Sequence, residues 1–533
     1  LKLRSATLLG YPLLLPIMGK RPASPSAERC PAKRSPGSCE PHGEPADACI
    51  VAEERGPAES SRSDAADGGN EKGCNTDPIE FVHVRVTKFD GETLSLEAFP
   101  FQNVATLKAH IFTRLGLDRG VSIKLLCGEK VLDDDSMLVT DLPAQDLQLV
   151  LTRIPVVLLH TGLSGRAKYR AGGVSAPDGQ LFFAPLDASR VLRVDPKSLS
   201  AECIGPPLLG TDQYEAGGIL AGDGCAYFAP RDASRVLQID YRTASVSTVG
   251  PVLEGEDKYL AGGVLAPNGC IYFAPSCARR VLRIKPGASP GDVEVEEVGP
   301  PLEGKSKYMA GGVLGGDGRI YFAPCRSEHV LCLEPGTDGE RFWEMGPILP
   351  ATLGDDLLGR YVAGGVLGSN GCIYFAPLRA GYVLRVNPAR QEVASIGPRI
   401  LPVCAYEAAG VLGPDGLIYF APYDADQVLR IDPRAHEGEE VSCMSATPSG
   451  SNIKNYMGQG AVALDGCIYF APGSSPDQVL RINPDTQTVE LFGRHLGKVR
   501  RQHHRYESGF VRAQDGRLFA APCDSEKVLC IQT

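Results

Sequence analysis

The sequence predicts a mainly β chain in which eight repeats form a β-propeller, preceded by a small α+β domain and an unstructured N-terminal tail. Three observations predict it. One phrase recurs eight times in the 533 residues. Each copy contains short apolar runs and turn residues with no helical periodicity. Residues 80–153 instead place one amphipathic helical pattern among alternating strand patterns.

The repeated sequence motif begins with Tyr-x-Ala-Gly-Gly-Val, continues with Asp-Gly-x-Ile-Tyr-Phe-Ala-Pro and ends in Val-Leu-Arg-Ile-Asp-Pro. Its period runs from 45 to 53 residues, which is typical of radial or solenoidal arrays. The copies begin at Tyr169, Tyr214, Tyr259, Tyr308, Tyr361, Tyr406, Tyr456 and Tyr506.

Each copy predicts four strands, as its third example illustrates. A small apolar run at 262–266 meets Asn268-Gly269, a pair that suits a tight hairpin. Two further strands are expected at 271–274 and 281–284, and a half-exposed fourth strand at 293–298. Radial repetition of such units leaves only short, protected sheet edges, which favours a propeller.

The ends of the repeat region predict ring closure. The eighth copy stops after a third strand at 528–531, and residues 156–159 stand where a fourth strand would be supplied. We therefore expect an eight-bladed propeller over 154–533. A seven-bladed ring with one extra unit is the alternative, but all eight copies keep their main features equally well.

The blade phrase, as in Asn268–Tyr272 and Arg280–Ile284, resembles the propellers of the NHL, SMP-30 lactonase and YVTN group over residues 156–533. This resemblance implies the architecture rather than an activity. It also implies an alternative function, because SMP-30-type lactonases hold calcium with carboxylate and amide oxygens near the channel.

Residues 80–153 are similar to ubiquitin along their whole length. Asn103 is a plausible N-cap for a helix that places Leu107, Ile111 and Leu115 on one face. The resemblance implies a docking patch formed by Phe89, Leu125, Leu126, Gln148 and Val150. Leu125 and Leu126 are alternatives for the same position of that patch. The alternative is that they pack against the propeller or fill the core. Because the last strand runs on into Pro155, we expect an integral domain, not a conjugated modifier.

Residues 1–79 predict a disordered tail, since they are poor in large apolar side chains apart from a short run near Met18. That run is too short to span a membrane, and Met18 is a more natural start than Leu1. Basic pairs beside Ser24 and Ser35 form a weak nuclear-import pattern, with a generic solvated tail as the alternative. A cytoplasmic or nuclear location is expected.

The antiparallel order of a blade places all eight repeat tyrosines at one end of the channel, and we expect them to mark its mouth. The residue after each tyrosine varies, and three copies carry a carboxylate there: Glu215, Glu407 and Glu507. Such an arc predicts a cation or polar-ligand site. Solvated charge beside a structural ring of tyrosines is the alternative.

A basic loop enters the eighth copy, and it could bind phosphate, acidic peptide or RNA. Its residues are Arg494, Lys498, Arg500, Arg501 and Arg505. The net charge of −10 and the lack of interleaved aromatic residues in this loop argue against nucleic acid. Of the 17 cysteines, several occupy equivalent repeat positions as small fillers, and the pairs 325/332 and 523/530 are candidate redox pairs.

Two functions follow from these features. In the first, a monomeric, non-enzymatic adaptor without a cofactor couples a propeller-bound client to a ubiquitin-reading partner such as the proteasome or a segregase. In the second, a calcium-dependent hydrolase uses Glu215, Glu407 and Glu507 as ligands. The sequence shows no Ser-His-Asp set, phosphate loop or redox motif. It therefore favours the adaptor.

Overall fold

The computed structural model describes residues 82–88, 92–98, 102–115, 121–127, 130–132, 136–142, 146–153, 155–336, 339–349, 359–401, 404–446, 451–474, 477–497 and 504–533. The predicted tail at 1–79 lies outside them. The chain divides into two compact units, Leu1–Val82 and His83–Thr533, and the architecture that follows is almost wholly that of the second.

The first part of this architecture is a five-stranded sheet with one helix. Its elements are β1 (Val82–Lys88), β2 (Thr93–Ala98), α1 (Val104–Arg114), β3 (Val121–Cys127), β4 (Lys130–Val131), a 3-10 turn (Val139–Asp141) and β5 (Asp146–Arg153). The strand order is β2-β1-β5-β3-β4. The two central strands, β1 and β5, run parallel, so the chain must cross over between them.

Helix α1 begins where the sequence predicts, because Asn103 caps it. The Asn103 Oδ1 atom accepts a hydrogen bond from the Thr106 N–H at 2.9 Å. Leu107 and Ile111 are buried on one face, whereas Leu115 follows the helix end and is only partly buried. Within the described residues, no helix is long and apolar enough to cross a membrane.

The second part consists of four-stranded sheets, eight of which lie within the described residues. Their first strands are Val174–Ser175, Ile219–Leu220, Val264–Leu265, Val313–Leu314, Val366–Leu367, Val411–Leu412, Ala461–Val462 and Val511–Arg512. Their second strands are Leu181–Phe183, Cys225–Phe228, Ile271–Phe273, Ile320–Phe322, Ile373–Phe375, Ile418–Phe420, Ile468–Phe470 and Leu518–Ala520.

The outer half of each sheet is longer. The third strands are Val191–Asp195, Val236–Asp240, Val281–Pro286, Val330–Glu334, Val383–Asn387, Val428–Ile431, Val479–Asn483 and Lys527–Ile531. The fourth strands are Ser200–Ile204, Ser245–Val249, Val293–Val298, Arg341–Met345, Glu392–Ile396, Val441–Met444, Thr488–Phe492 and, for the eighth sheet, Val156–His160.

The Asp-Gly or Asn-Gly pair builds the first turn of each sheet, and the second sheet shows how. Gly224 has a φ of 87°, which glycine adopts without strain. The Asp223 carboxylate accepts hydrogen bonds from the Cys225 N–H at 2.9 Å and from the Tyr227 hydroxyl at 2.6 Å. The repeated Asp-Gly-x-Ile-Tyr spacing therefore lets one side chain hold both the turn and the strand that follows.

The second glycine of each Gly-Gly pair permits close packing of the inner strand. A Cβ atom on Gly263 would lie 2.5 Å from the Phe273 ring, so no larger residue fits unless that ring moves. The eighth sheet exchanges the two sizes, with Phe510 at the glycine position and Ala520 at the phenylalanine position. Both of these side chains are buried, so the volume is conserved.

The eighth sheet is completed by a strand from the other end of the repeat region. Val156–His160 pairs antiparallel with Lys527–Ile531, with Val156 opposite Ile531 and His160 opposite Lys527. The first strand of the eighth sheet also contacts the first strand of the first sheet. The mainly β character and the four-stranded, propeller-type sheets predicted from the sequence are confirmed.

Adjacent sheets are joined by ion pairs between their outer strands and turns. Arg283 of the third sheet donates to Glu340 at 2.8 Å, just before the fourth strand of the next sheet. Arg385 donates likewise to Glu440, at 2.9 Å, and the Glu440 side chain is only 3% exposed. At Arg283 and Arg385 the arginine of Val-Leu-Arg thus joins neighbouring sheets, whereas Arg193 and Arg481 pair within their own sheets.

Candidate functional site

The eight repeat tyrosines, which the sequence predicts to mark the channel mouth, are buried. Their relative exposure is 0–1%. The Tyr169 hydroxyl donates to the Arg190 carbonyl at 3.0 Å, and each of the others donates to a carbonyl 21 or 22 residues further along the chain. These hydrogen bonds tie the entry of each sheet to the start of its third strand. The tyrosines are therefore structural.

The residue before each tyrosine forms a second set of internal contacts, which the sequence analysis missed. The Lys307 ammonium is buried and donates to the Ser276 and Gly304 carbonyls, each at 2.9 Å. Lys168 makes the equivalent contacts with Cys523 at 2.9 Å and Gly165 at 2.7 Å. Both side chains reach the preceding sheet, so this position fastens neighbouring sheets. The signal was a basic residue before the tyrosine in five of the eight copies.

Arg505 belongs to this set, which corrects its assignment to an exposed basic loop. Its side chain is buried and donates to the Gly473 carbonyl at 3.0 Å and the Ser474 carbonyl at 2.7 Å. A guanidinium committed to backbone carbonyls is not free for a ligand. Arg494 is exposed, as predicted for the loop. Lys498, Arg500 and Arg501 lie outside the described residues.

The residues that follow the tyrosines form the mouth ring, named here by its eight members. They are Arg170, Glu215, Leu260, Met309, Val362, Glu407, Met457 and Glu507. Four are charged and come from the eighth, first, second and sixth sheets, whereas the other four are apolar. The mouth ring therefore combines charged and apolar members, and Met457 of the seventh sheet stands between the charged residues of the sixth and eighth.

A chain of ion pairs crosses the charged side. Arg170 pairs with Glu507 and lies 3.5 Å from Glu215. Glu215 also accepts a hydrogen bond from Arg231 at 2.7 Å. Arg231 in turn contacts Asp257 at 2.9 Å and Asp212 at 3.0 Å. These contacts fix the arginines in place and partly neutralise the carboxylates around them.

Glu407 stands apart from this chain. The pKa of Glu407 is raised to about 7, mainly by burial; Arg170 opposes the shift, and the nearby Glu507, Glu215 and Asp424 add to it. The carboxyl group of Glu407 therefore changes its charge near neutral pH.

The predicted calcium ligands do not form a metal site. In the described part of the chain, no three His, Cys, Asp or Glu side chains converge in a way that could hold a metal ion. Arg170 lies between Glu215 and Glu507 and occupies the space in which a cation would sit. A guanidinium already supplies the positive charge that calcium would bring, so Glu215, Glu407 and Glu507 do not fit that cofactor.

The predicted docking patch divides between two faces of the five-stranded sheet. Leu125 is fully buried in the core, because side chains alternate along β3, and so it is excluded from an exposed patch. Leu126 and Val150 are partly buried on the opposite face, and Gln148, which pairs with Leu126, is exposed there. Phe89 lies outside the described residues.

The cysteines at equivalent repeat positions are fillers. Cys225, Cys270, Cys372 and Cys467 are 0–6% exposed. The members of the candidate redox pairs are buried. Burial raises the pKa of Cys325 and of Cys332 to about 12, which disfavours the reactive thiolate.

A cleft beside the sixth sheet was not predicted. It has a volume of about 790 Å³ and is lined by Pro398, Tyr406, Asp426, Cys443, Ser445 and Lys454, among others. In other linkers between sheets, an aliphatic residue occupies the equivalent position. In the linker after the second sheet this residue is Leu253, whose N–H donates to the Ser234 carbonyl at 2.8 Å. The linker after the sixth sheet lacks the Gly-Pro-x-Leu pattern, and that absence was the available signal.

Comparisons with solved structures agree with the fold. Saccharomyces cerevisiae Sqt1 matches 71% of this chain and 99% of its own at 10% identity, with a TM-score of 0.50. A catalytically inactive virginiamycin B lyase from Staphylococcus aureus with quinupristin matches 59% and 95% at 17% identity, with a TM-score of 0.42. A streptogramin B lyase matches 71% and 97% at 16% identity, with a TM-score of 0.43.

Sqt1 is a β-propeller protein, so its likeness to this chain supports the propeller class. At such identities the likeness concerns the fold alone. No protein-family model and no curated protein sequence matches the chain.

Proposed function

We propose that this protein is a non-enzymatic adaptor. In this proposal residues 154–533 form an eight-bladed propeller that holds a client protein, and residues 80–153 form a ubiquitin-like β-grasp domain that docks a ubiquitin-reading partner. The strand order β2-β1-β5-β3-β4 with a parallel central pair supports the second assignment. The protein would act as a monomer in the cytoplasm or nucleus, without nucleic acid.

The observation that carries the proposal is the solvent face of the five-stranded sheet. Leu126 lies opposite Gln148, and Val150 lies opposite the exposed Lys124 on the same two strands. Arg85 is exposed on the neighbouring strand β1. Aliphatic surface flanked by positive charge is suited to a partner with an apolar centre and an acidic rim.

The mouth ring supports a binding role more than a catalytic one. The Arg170 and Arg231 side chains are engaged with Glu215, Glu507, Asp212 and Asp257, so these carboxylates are committed to ion pairs. A hydrolase of the calcium-dependent type needs free ligands at this place, and the arrangement does not favour it.

The adaptor role is tested by affinity capture of the full chain and of a Leu126→Ala/Val150→Ala variant. We expect the variant to recover at least about tenfold less of the proteasome or segregase subunits, because both aliphatic contacts are lost. Thr87→Ala, on the same sheet face, is the matched control. The Leu126→Ala/Val150→Ala variant counts as folded if its urea midpoint equals that of the wild type. Recovery of the same amount of these subunits by the folded variant would contradict the docking role.

A further inference from the structure

The strand Val156–His160, called the closing strand here, joins the two ends of the repeat region. It pairs with Lys527–Ile531 of the eighth sheet over five residue pairs. In the other seven sheets the third and fourth strands follow each other in the chain, as Val236–Asp240 and Ser245–Val249 do. Among the described sheets of four strands, the eighth is therefore the one whose third and fourth strands can part without a covalent turn to hold them.

The closing strand is well held when no force acts on it. Val156 belongs to an apolar core that it shares with Tyr469 of the seventh sheet. Val157 and Leu159 belong to another core, shared with Phe183 of the first sheet. The three side chains of the closing strand are at most 8% exposed. Burial of these side chains from water therefore keeps the strand in place at rest.

The closing strand continues directly from the five-stranded sheet. β5 ends at Arg153 and the closing strand begins at Val156, so only two residues separate them. The Pro155 carbonyl already belongs to the contact with the eighth sheet, because it accepts a hydrogen bond from the Gln532 N–H at 2.9 Å. A pull on the five-stranded sheet therefore reaches the first residue of the closing strand with almost no slack.

Such a pull meets the closing strand in the geometry that detaches it most easily. The strand pair is antiparallel, and Val156 lies opposite Ile531, two residues before Thr533. Opposing forces at Pro155 and Thr533 therefore act at the same end of the pair. Because the hydrogen bonds of an antiparallel pair lie perpendicular to its strands, they carry this load one after another, and the pair unzips.

The five-stranded sheet receives the same load in a different geometry. β1 and β5 run parallel and pair over four residues of each strand, from Arg85 to Lys88 on β1. The load enters at the start of β1 and leaves at the end of β5, so it acts along both strands and on all of their hydrogen bonds together. β5 also pairs with β3 over six residue pairs. The five-stranded sheet therefore resists the pull better than the closing strand does.

We propose that the closing strand releases under force: a pull between the five-stranded sheet and Thr533 detaches Val156–His160 from Lys527–Ile531 before the five-stranded sheet unfolds. A partner that pulls on this sheet breaks the join between the ends of the repeat region, while the sheet that it holds stays folded. The order of release does not depend on which partner binds, so the proposal goes beyond the adaptor role.

Optical tweezers measure this order on the full chain with handles at Leu1 and Thr533. Detachment frees the chain from Val156 to Ala167, whose N–H donates to the Asp524 carboxylate at 2.8 Å. Residues 156–166 extend by at most on the order of 40 Å, whereas unfolding of residues 82–153 releases on the order of 250 Å. We expect the short step first, at a lower force than the long one.

A cross-link between the paired strands provides the second arm of the test. Val157→Cys places a thiol opposite Cys530. With the disulfide confirmed by mass spectrometry, the oxidised variant should lose the short step and regain it with dithiothreitol. Trp343→Cys, opposite Cys332, is the matched control, because these two residues take the same register positions in the fourth sheet. Its oxidised form should keep the short step.

Unfolding of the five-stranded sheet before the short step would overturn the proposal, as would a short step that persists in the cross-linked Val157→Cys variant. The reduced form of the same variant shows that the substitution itself leaves the strand paired. Failure of the docking role is a separate result, since the Leu126→Ala/Val150→Ala variant leaves the closing strand unchanged.

Discussion

The residues before and after each repeat tyrosine are two positions apart in the chain, yet they meet different surroundings. The preceding side chain is buried against the carbonyls of the neighbouring sheet, as Lys307 is against Ser276. The following side chain belongs to the mouth ring, which contains four charged and four apolar residues. The first position thus holds the sheets together, and the second is free to vary.

This difference separates stability from binding. Substitutions at framework positions should lower the free energy of unfolding and leave ligand affinity unchanged. Substitutions in the mouth ring should change affinity with little loss of stability. A single substitution that strongly changed both the free energy of unfolding and the ligand affinity would contradict this separation.

The largest effect is expected from overfilling an inner strand. Gly263→Phe places a ring where Phe273 already approaches to within 2.5 Å of the Cβ position, and it should destabilise the fold by about 3 kcal/mol or more. Adding Phe273→Ala reproduces the Phe510 and Ala520 arrangement of the eighth sheet. The double variant should then be more stable than Gly263→Phe alone.

Urea denaturation of both single variants and the double variant measures this coupling. Additive losses would mean that the exchange in the eighth sheet depends on features outside these two positions.

A smaller effect is expected from Lys307→Met. The change removes two hydrogen bonds and leaves the Ser276 and Gly304 carbonyls without that donor, at a cost of about 2 kcal/mol. Lys305→Met, at an exposed position two residues earlier, is the matched control. Equal urea midpoints for the two variants would show that the buried ammonium does not stabilise the junction.

The fold was largely predictable because its signals are local and repeated. The Asp-Gly turn and the apolar runs occur in every copy, so errors in one copy are corrected by the others. The missed features depend on contacts between copies. A lysine before a tyrosine looks like a surface residue until the neighbouring sheet supplies carbonyls, and Arg505 was assigned to a basic loop for the same reason.

The mouth ring was predicted only in part. Its carboxylates at Glu215, Glu407 and Glu507 were found by their position in the repeat, but their partners were not. The contact of Arg231 with Glu215 joins residues 16 positions apart, from a loop and a strand entry. Sequence spacing gives no measure of that distance, so calcium binding stayed an alternative for Glu215 and Glu507 until the structure showed their ion pairs.

An effect of similar size and opposite sign is expected from Glu407→Gln. The pKa of Glu407 is raised from 4.5 to about 7, so the ionised form disfavours the folded state. The carboxyl group contributes its full stability below pH 4.5 and loses it as the pH rises through 7. The variant should match the wild type near pH 4.5 and exceed its unfolding free energy by about 2 kcal/mol near pH 8.

Urea denaturation between these pH values measures the difference, with Glu254→Gln as a comparison for removing one negative charge elsewhere. A constant difference across the range would contradict the assignment of a raised pKa to Glu407.

The most direct test of the whole account compares Lys307→Met with Glu407→Gln in one measurement, the free energy of unfolding near pH 4.5 and near pH 8. We predict that Lys307→Met unfolds more easily than the wild type at both pH values, whereas Glu407→Gln matches the wild type near pH 4.5 and is more stable near pH 8. A loss of stability at both pH values for Glu407→Gln, or none for Lys307→Met, would contradict the separation of framework from mouth ring.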